Sequence, residues 1–256
     1  MEIQLNEGNK IAQQIGQIAR ENTTKEDISP LKKRASDIKI EVKSLIQNGK
    51  KIELKIRTQL VQIPNIPHNS VPPGDNENDN IIELEWGEAK EINNPLLPHW
   101  ELAEKYQLID FTSGSKIAGS GFPLYKGMGA KLQRGLINFF LDYNTQSGYE
   151  EYIPPYFVNE ESAFNTGQLP DKDGMMYHIT NDNLYVIPTA EVPVTNMHQG
   201  EIISERELPI KYTAYSACFR REAGSYGKET KGLTRMHQFN KVELVKLVHP
   251  DKSYEE

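Results

Sequence analysis

Cysteine is nearly absent: Cys218 is the single one in 256 residues, so the chain forms no internal disulfide and no multi-cysteine zinc site. In its strand-like setting it reads as a small buried apolar residue. The six histidines are scattered and none stands in an HExxH or similar spacing, so no metal site is identified. No apolar run approaches the roughly 20 residues that span a bilayer, and the amino-terminal stretch lacks the apolar centre of a secretory signal. Gly119, Gly121, Gly127 and Gly129 do not fit GxGxxG, which removes a dinucleotide-binding reading. What these absences leave is a soluble, cytoplasmic protein with no membrane partner, long enough for one large or two modest domains.

Charge is present but unevenly placed. The net charge is −7, yet residues 1–60 hold 12 Lys/Arg against 8 Asp/Glu, net +4, leaving 17 against 28, net −11, for the remainder. Within residues 31–60 alone there are nine basic and three acidic residues. A basic appendage on an acidic body suits a polyanionic partner. In that appendage Leu31, Ile38, Leu45 and Ile52 recur every seven residues, with Ala35, Val42 and Ile56 between them and Gly49 as the one break. That spacing predicts a coiled-coil seam. Ser29 before Pro30 is expected to cap the helix. Ile11, Ile15 and Ile18 form a shorter stripe upstream, and a polar turn over residues 21–28 makes the pair antiparallel. The second helix, about 45 Å long, outreaches the first, so a longer first helix with further chain before it is expected. Residues 61–80, rich in proline and asparagine, close this unit. The expected division is an arm over 1–62, a linker over 63–80 and a second domain over 81–256.

The most informative stretch is Cys218 to Leu247. Tyr212 to Arg220 and Met236 to Leu247 are rich in aromatic and β-branched residues, whereas Glu222 to Gly232 is a charged loop. The pattern predicts two antiparallel strands. On the second, Arg235, His237, Phe239, Lys241 and Glu243 share one face, and Met236, Gln238, Val242 and Leu244 the other, which is expected to pack. A cation, an aromatic ring and a carboxylate then stand about 13 Å apart in sequence along one face. Such a row suits phosphate, a base and an ammonium group.

Phe219-Arg220-Arg221-Glu222, the basic glycine-rich loop and Arg235-Met236-His237-Gln238-Phe239 resemble motif 2 of the class II aminoacyl-tRNA synthetases, in wording close to the bacterial seryl-tRNA synthetase family. The resemblance implies an α+β fold: an antiparallel-sheet catalytic domain preceded by an antiparallel α-helical coiled-coil arm. It implies ATP as substrate with Mg²⁺, L-serine as the amino acid, and tRNA(Ser) as acceptor, tRNA(Sec) being a second acceptor that the family allows. By position, Arg220 is the catalytic residue, gripping the α-phosphate and meeting serine, and Glu222 faces the adenine amino group. Arg235 meets the outer phosphates, Phe239 stacks on adenine, and Glu243 holds the serine ammonium. Arg221, Met236, His237 and Gln238 complete the ATP set, although His237 reads from its own chemistry as a structural hydrogen-bonding residue. Arginine's planar fork suits phosphate oxygens.

Leu184 to Val194, LYVIPTAEVPV, reads as an apolar strand interrupted by Thr189-Ala190-Glu191, which the resemblance assigns to serine recognition. By local chemistry alone Thr189 and Glu191 read equally well as a surface pair on an edge strand. Thr166 to Asp171 is expected beside the same site. Leu132, Leu136, Phe139 and Phe140 give a helix with an apolar face, ended by Gly148 and followed by a strand over 149–153 that stops at Pro154-Pro155. This order resembles class II motif 1 and implies a homodimer. Ile81 to Trp86 is expected as a strand, and His99 to Gln107 as a short helix in which His99 caps or packs.

In the family's arm, lysines and arginines meet the tRNA backbone. Lys32, Lys33, Arg34, Lys39 and Lys43 are the candidates, each equally readable as solvating an exposed helix. The family's third motif has no counterpart up to Glu256, so an incomplete, inactive portion of the enzyme is expected. Two other readings stay open: a synthetase-like RNA-binding protein without activation chemistry, and a ligase charging a carrier protein.

Overall fold

In a computed structural model the structure describes residues 2–20, 28–88, 96–222 and 231–256. The expected polar turn over 21–28 and most of the loop over 222–232 fall outside those residues. Two compact units result, Met1–Gly87 and Glu88–Glu256.

The first unit is a helix pair, α1 (Glu2–Arg20) and α2 (Ser29–Leu60). Ile11 and Ile38 are its buried centre, at 7% and 4% exposure, and Ile15, Ile18, Leu31, Ala35 and Val42 are half-buried around them. Beyond Val42 the seam residues Leu45, Ile52 and Ile56 are exposed. Gly8 faces Ile38: a Cβ there would lie in ordinary contact, 3.5 Å from Ile38 Cγ2. The guanidinium of Arg34 donates to both Glu7 carboxylate oxygens, at 2.8 and 3.0 Å, and to Glu41 at 3.3 Å. Ser29 does not cap α2. It is the first helical residue, with Pro30 in the first turn and no side-chain cap bond, because the turn already closes from the Ile28 carbonyl to Lys32 N–H at 3.0 Å. Residues 81–86 form no strand, and Ile82, Leu84 and Trp86 are exposed. Alternation alone does not make a strand; backbone N–H and C=O groups need a partner ladder, and none runs beside 81–86 among the described residues.

The second unit is α+β. After α3 (His99–Lys105), β1 (Ile109–Asp110) leads into α4 (Phe111–Ala118), capped by Asp110, whose carboxylate accepts from Ser113 N–H at 2.9 Å. β2 (Leu124–Tyr125) pairs antiparallel with β1. The long helix α5 (Gly127–Gln146) ends before Gly148, whose φ of +85° suits glycine alone. A central sheet has the order β3 (Glu150–Tyr152), β7 (Ile210–Phe219), β8 (Gln238–Leu247). β3 runs parallel to β7, and β7 and β8 are antiparallel over ten residues each, with Cys218 opposite Phe239 and Ala214 opposite Glu243. β4 (Phe157–Asn159), β6 (Leu184–Val186) and β5 (Tyr177–Ile179) make a second, antiparallel sheet. Asn159 ends β4 and caps α6 (Glu160–Asn165), accepting from Ser162 N–H at 2.8 Å.

Apolar burial lies in two clusters that meet at α7 (Glu191–Thr195). Val158, Ala163, Met176, Ile187 and Val192 form one; Ala190, Val194, Tyr212 and Ala214 form the other, with Val245 and Leu247 against it. So the odd-numbered face of β8 carries Phe239, Lys241 and Glu243 and then, with Val245 and Leu247, joins the core. The even face does not simply pack, because Gln238 and Leu244 remain exposed; its order comes from polar contacts, Tyr215 donating to Asn240 at 2.8 Å and Asn144 on α5 donating to Thr213 at 3.0 Å.

Candidate active site

The site face is built by β7 and β8 together. Opposed residues on antiparallel strands point the same way, so Ser216 and Cys218 join Phe239, Lys241 and Glu243. Small buried side chains on β7 form the floor, and long ones on β8 stand over it. Cys218 is fully buried, and burial pushes its thiol up, so it stays protonated and inert. Lys241, Arg220 and Glu243 all exert their charge on this one thiol.

Glu243 is the centre of the polar cluster. The hydroxyl of Thr189, itself buried, donates to Glu243 Oε2 at 2.6 Å and accepts from Glu191 N–H at 3.2 Å. Lys241 Nζ is ion-paired with the same Oε2. Burial by itself raises the Glu243 carboxyl, but hydrogen bonds from Lys241 and Thr189 and the lysine charge outweigh it, and the net shift is downward. Glu243 is therefore ionised through the neutral range.

The Thr189-Ala190-Glu191 triplet reaches this place by a turn. The expected strand over 184–194 stops at Val186, and Glu191 opens α7. Pro188 has no N–H for a ladder, and Pro193 sits in the first turn of α7, where the missing N–H costs nothing. Ile187 still bridges, donating to the Tyr156 carbonyl at 3.0 Å and accepting from Phe219 N–H at 2.9 Å. Ala190 is fully buried in the core and Glu191 is exposed. Thr166 and Asp171 organise the nearby loop internally: Asp171 accepts from Met175 and Met176 N–H at 2.8 and 2.9 Å, and Thr166 donates to the Ser162 carbonyl at 3.2 Å.

At the other end, the Arg220 guanidinium lies over the Phe239 ring, 5.2 Å from its centroid. Arg221 is exposed, its N–H donating to the Met175 carbonyl at 2.8 Å. Arg235 precedes β8 rather than belonging to it, and donates to Glu222 Oε2 at 3.2 Å. Met236 is half-buried and Gln238 exposed. His237 is a joint: Nδ1 meets Tyr177 OH at 2.9 Å, the ring stacks on Phe122 at 5.1 Å, and its N–H donates to the Gly121 carbonyl at 2.9 Å. The hydrogen-bonding role read from its chemistry is what the geometry has.

Two residues carry more than the sequence suggested. Lys241 was visible on the right face by its period of two, but nothing in the pattern tied it to Glu243. His99 accepts from Leu233 N–H at 2.8 Å, and Gly232 has φ +75° with a Cβ position 2.2 Å from His99 Nε2. Lys231 stands over Trp100 at 5.5 Å. So α3 holds the strand entry into β8. Among the described residues no group of three His, Cys, Asp or Glu is placed to hold a metal ion, and no helix is long and apolar enough to cross a membrane.

Comparison with known proteins turns this geometry into kinship. Residues 176–256, which contain β7 and β8, match the tRNA synthetase class II core domain (G, H, P, S and T). A serine–tRNA ligase from Salinibacter ruber is 49% identical over 246 residues, 96% of this chain and 57% of the relative. Another from Thermodesulfovibrio yellowstonii is 48% identical over 248 residues, 97% of this chain and 58% of the relative. The seryl-tRNA synthetase of Pyrococcus horikoshii, solved in complex with ATP, superposes with a TM-score of 0.82 at 33% identity, over 99% of this chain and 61% of that one. Over nearly its whole length the chain is similar to serine–tRNA ligases. It spans a little over half the length of these curated relatives, and within that span it has the class II α+β architecture, the Thr189–Glu243–Lys241 cluster lying inside the matched core domain.

Proposed function

We propose that this chain is part of a serine–tRNA ligase, which activates L-serine with ATP and passes the seryl group to tRNA(Ser). The observation that carries this reading is the ionised, half-buried Glu243, fixed by Thr189 on the same face as Phe239 and Lys241. A carboxylate held in that way suits a substrate ammonium, and a neighbouring hydroxyl suits a small polar amino acid. A site built around a hydroxyl rejects the analogue lacking it by roughly 10⁴, which alanine would meet. The serine carboxylate attacks the α-phosphorus, pyrophosphate leaves, and a ribose hydroxyl of the tRNA end takes the seryl group from the adenylate. No protein nucleophile is needed; positioning and charge complementarity carry the first step. Arg220 is assigned to the α-phosphate, Phe239 to the adenine face, Glu222 to the adenine amino group and Arg235 to the outer phosphates. Ligand binding then requires Arg220 to leave the Phe239 ring and Arg235 to leave Glu222. Mg²⁺ belongs with the ATP phosphate oxygens rather than with a protein cage, in keeping with its preference for phosphate and water.

The finer parts of the reading are assigned likewise. Residues 1–62 serve as a coiled-coil arm toward tRNA, linked through 63–80 to a catalytic domain over 81–256. On α2, Lys32, Lys33, Lys39 and Lys43 are exposed and suited to phosphate, whereas Arg34 is occupied by Glu7 and Glu41. The chain acts as a homodimer in the cytoplasm, α5 supplying an apolar interface: Leu132, Leu136, Phe139 and Phe140 are all exposed on it.

Serine-dependent ATP–pyrophosphate exchange by the full-length gene product, with alanine and threonine as comparators, tests the activity. Exchange with serine well above both is expected. A folded protein that exchanges with no amino acid, yet binds tRNA, overturns ligase activity in favour of an RNA-binding role.

A further inference from the structure

We infer that the amino acid enters by inserting its zwitterion into the Lys241–Glu243 ion pair, so that Lys241 is the residue that receives the substrate carboxylate. This rests on the proposed serine site and adds a second fixed charge to it.

The argument starts from what Glu243 is already doing. Its Oε2 takes both the Thr189 hydroxyl and the Lys241 ammonium, so an incoming ammonium finds its acceptor occupied by a cation of its own kind. Either Lys241 leaves or the ligand stays out. Ejecting a lysine into solvent to admit another ammonium exchanges one ion pair for an equivalent one and gains little. An α-amino acid removes that difficulty, because it carries its own carboxylate carbon two bonds from its ammonium nitrogen. With the ammonium on Glu243 and the carboxylate on Lys241, one ion pair becomes two, and neither protein charge is left alone.

Position along the strand favours the same exchange. Lys241 stands between Phe239 and Glu243 on one face of β8, two residues from each. In an aminoacyl-adenylate the order of groups is ammonium, carboxyl carbon, phosphate, ribose, base. With the base at Phe239 and the ammonium at Glu243, the carboxyl group and the phosphate fall over Lys241. Its side chain is one-third exposed, against 20% for Glu243, so Lys241 is the partner with room to swing while Glu243 stays held by Thr189. Arg220, whose guanidinium lies over the Phe239 ring, remains for the phosphate.

The consequence is selection for a zwitterion. L-Serinamide, which has the ammonium and the hydroxyl but no carboxylate, must displace Lys241 without giving it a new partner. The test compares Lys241→Met with wild type in the full-length protein, measuring the KM for serine and for ATP in pyrophosphate exchange and the inhibition constant of L-serinamide. Expected in Lys241→Met is a serine KM raised about tenfold, the scale of one modest charge contact, with the KM for ATP unchanged. Serinamide should inhibit the variant at least as well as wild type, since its competitor is gone. Lys241→Gln keeps a hydrogen bond to Glu243 and should show the same split, should the methionine variant fold poorly; Lys241→Arg should restore the serine KM. Equal weakening of serine, serinamide and ATP overturns the inference, because it marks Lys241 as merely structural. Absence of serine exchange in the wild-type protein is a different outcome, and removes the serine site itself.

Discussion

At the scale of single residues, Glu243 ties the proposed serine site to stability. Its carboxyl is shifted downward by Lys241 and Thr189 against the upward pull of burial. A folded-state value below the unfolded one means that the carboxylate adds stability above the unfolded value, lost as pH falls through the folded value. Wild-type protein is therefore expected to lose stability below about pH 4.5 more steeply than Glu243→Gln, as urea titrations across the acid range would show; parallel curves would deny the ion pair a role in folding. For function, Glu243→Ala is expected to abolish measurable serine activation while ATP binding stays within about threefold, the effect of a lost contact outside the nucleotide subsite. Equal loss of both in equilibrium binding would contradict the assignment. Gly232→Ala probes another point. With φ at +75° and His99 in the way, it should cost about 1–3 kcal/mol, read as a lower Tm.

At the scale of elements, α5 shows what sequence patterns carry and what they do not. Its apolar face was legible from Leu132, Leu136, Phe139 and Phe140, and its end from Gly148. Which surface that face meets was not, because the same spacing serves a core and an interface. The β7–β8 hairpin was legible to within two residues at each end, since long amphipathic strands with a charged loop between them have few alternatives. The strand over 184–194 was misread for a local reason: a continuous apolar run fits a buried helix as well as a strand, and Pro193 in a first turn decided it. Ile81 to Trp86 was misread for a non-local one, the want of a pairing neighbour. The Lys241–Glu243 pair lay in plain view in sequence, but an ion pair between strand residues two apart is a matter of side-chain reach, which period alone does not give. Two consequences of these elements can be measured. If the chain forms the proposed homodimer, charge substitution at Phe139 and Phe140, both to Glu, is expected to convert it to monomer in sedimentation equilibrium, leaving a folded chain; an unchanged mass would exclude α5 as the interface. Gly129→Ala is expected to cost about 1–3 kcal/mol, because its Cβ would fall 2.1 Å from the Leu108 carbonyl oxygen, where backbone cannot yield.

At the scale of the whole molecule, protection from unfolding should be unequal. The helix pair of the first unit has Ile11 and Ile38 as its buried centre, while the second has two apolar clusters and a ten-residue strand pairing. Hydrogen exchange should accordingly be slowest at the middle of β7 and much faster over α1 and α2; uniform exchange would mean that the two units unfold together. Order of assembly adds a further consequence. β7 lies between β3 and β8 in its sheet, and β8 is also the strand that brings Glu243 to Thr189. While the chain is being synthesised, β7 emerges before its larger partner and waits with a bare edge, its backbone groups free to pair with another nascent chain. The strand that completes the face carrying Glu243 is thus also the one that covers the bare edge of β7, and a ribosome stalled between residues 219 and 238 would release a product that a cell has to hold in a chaperone or destroy.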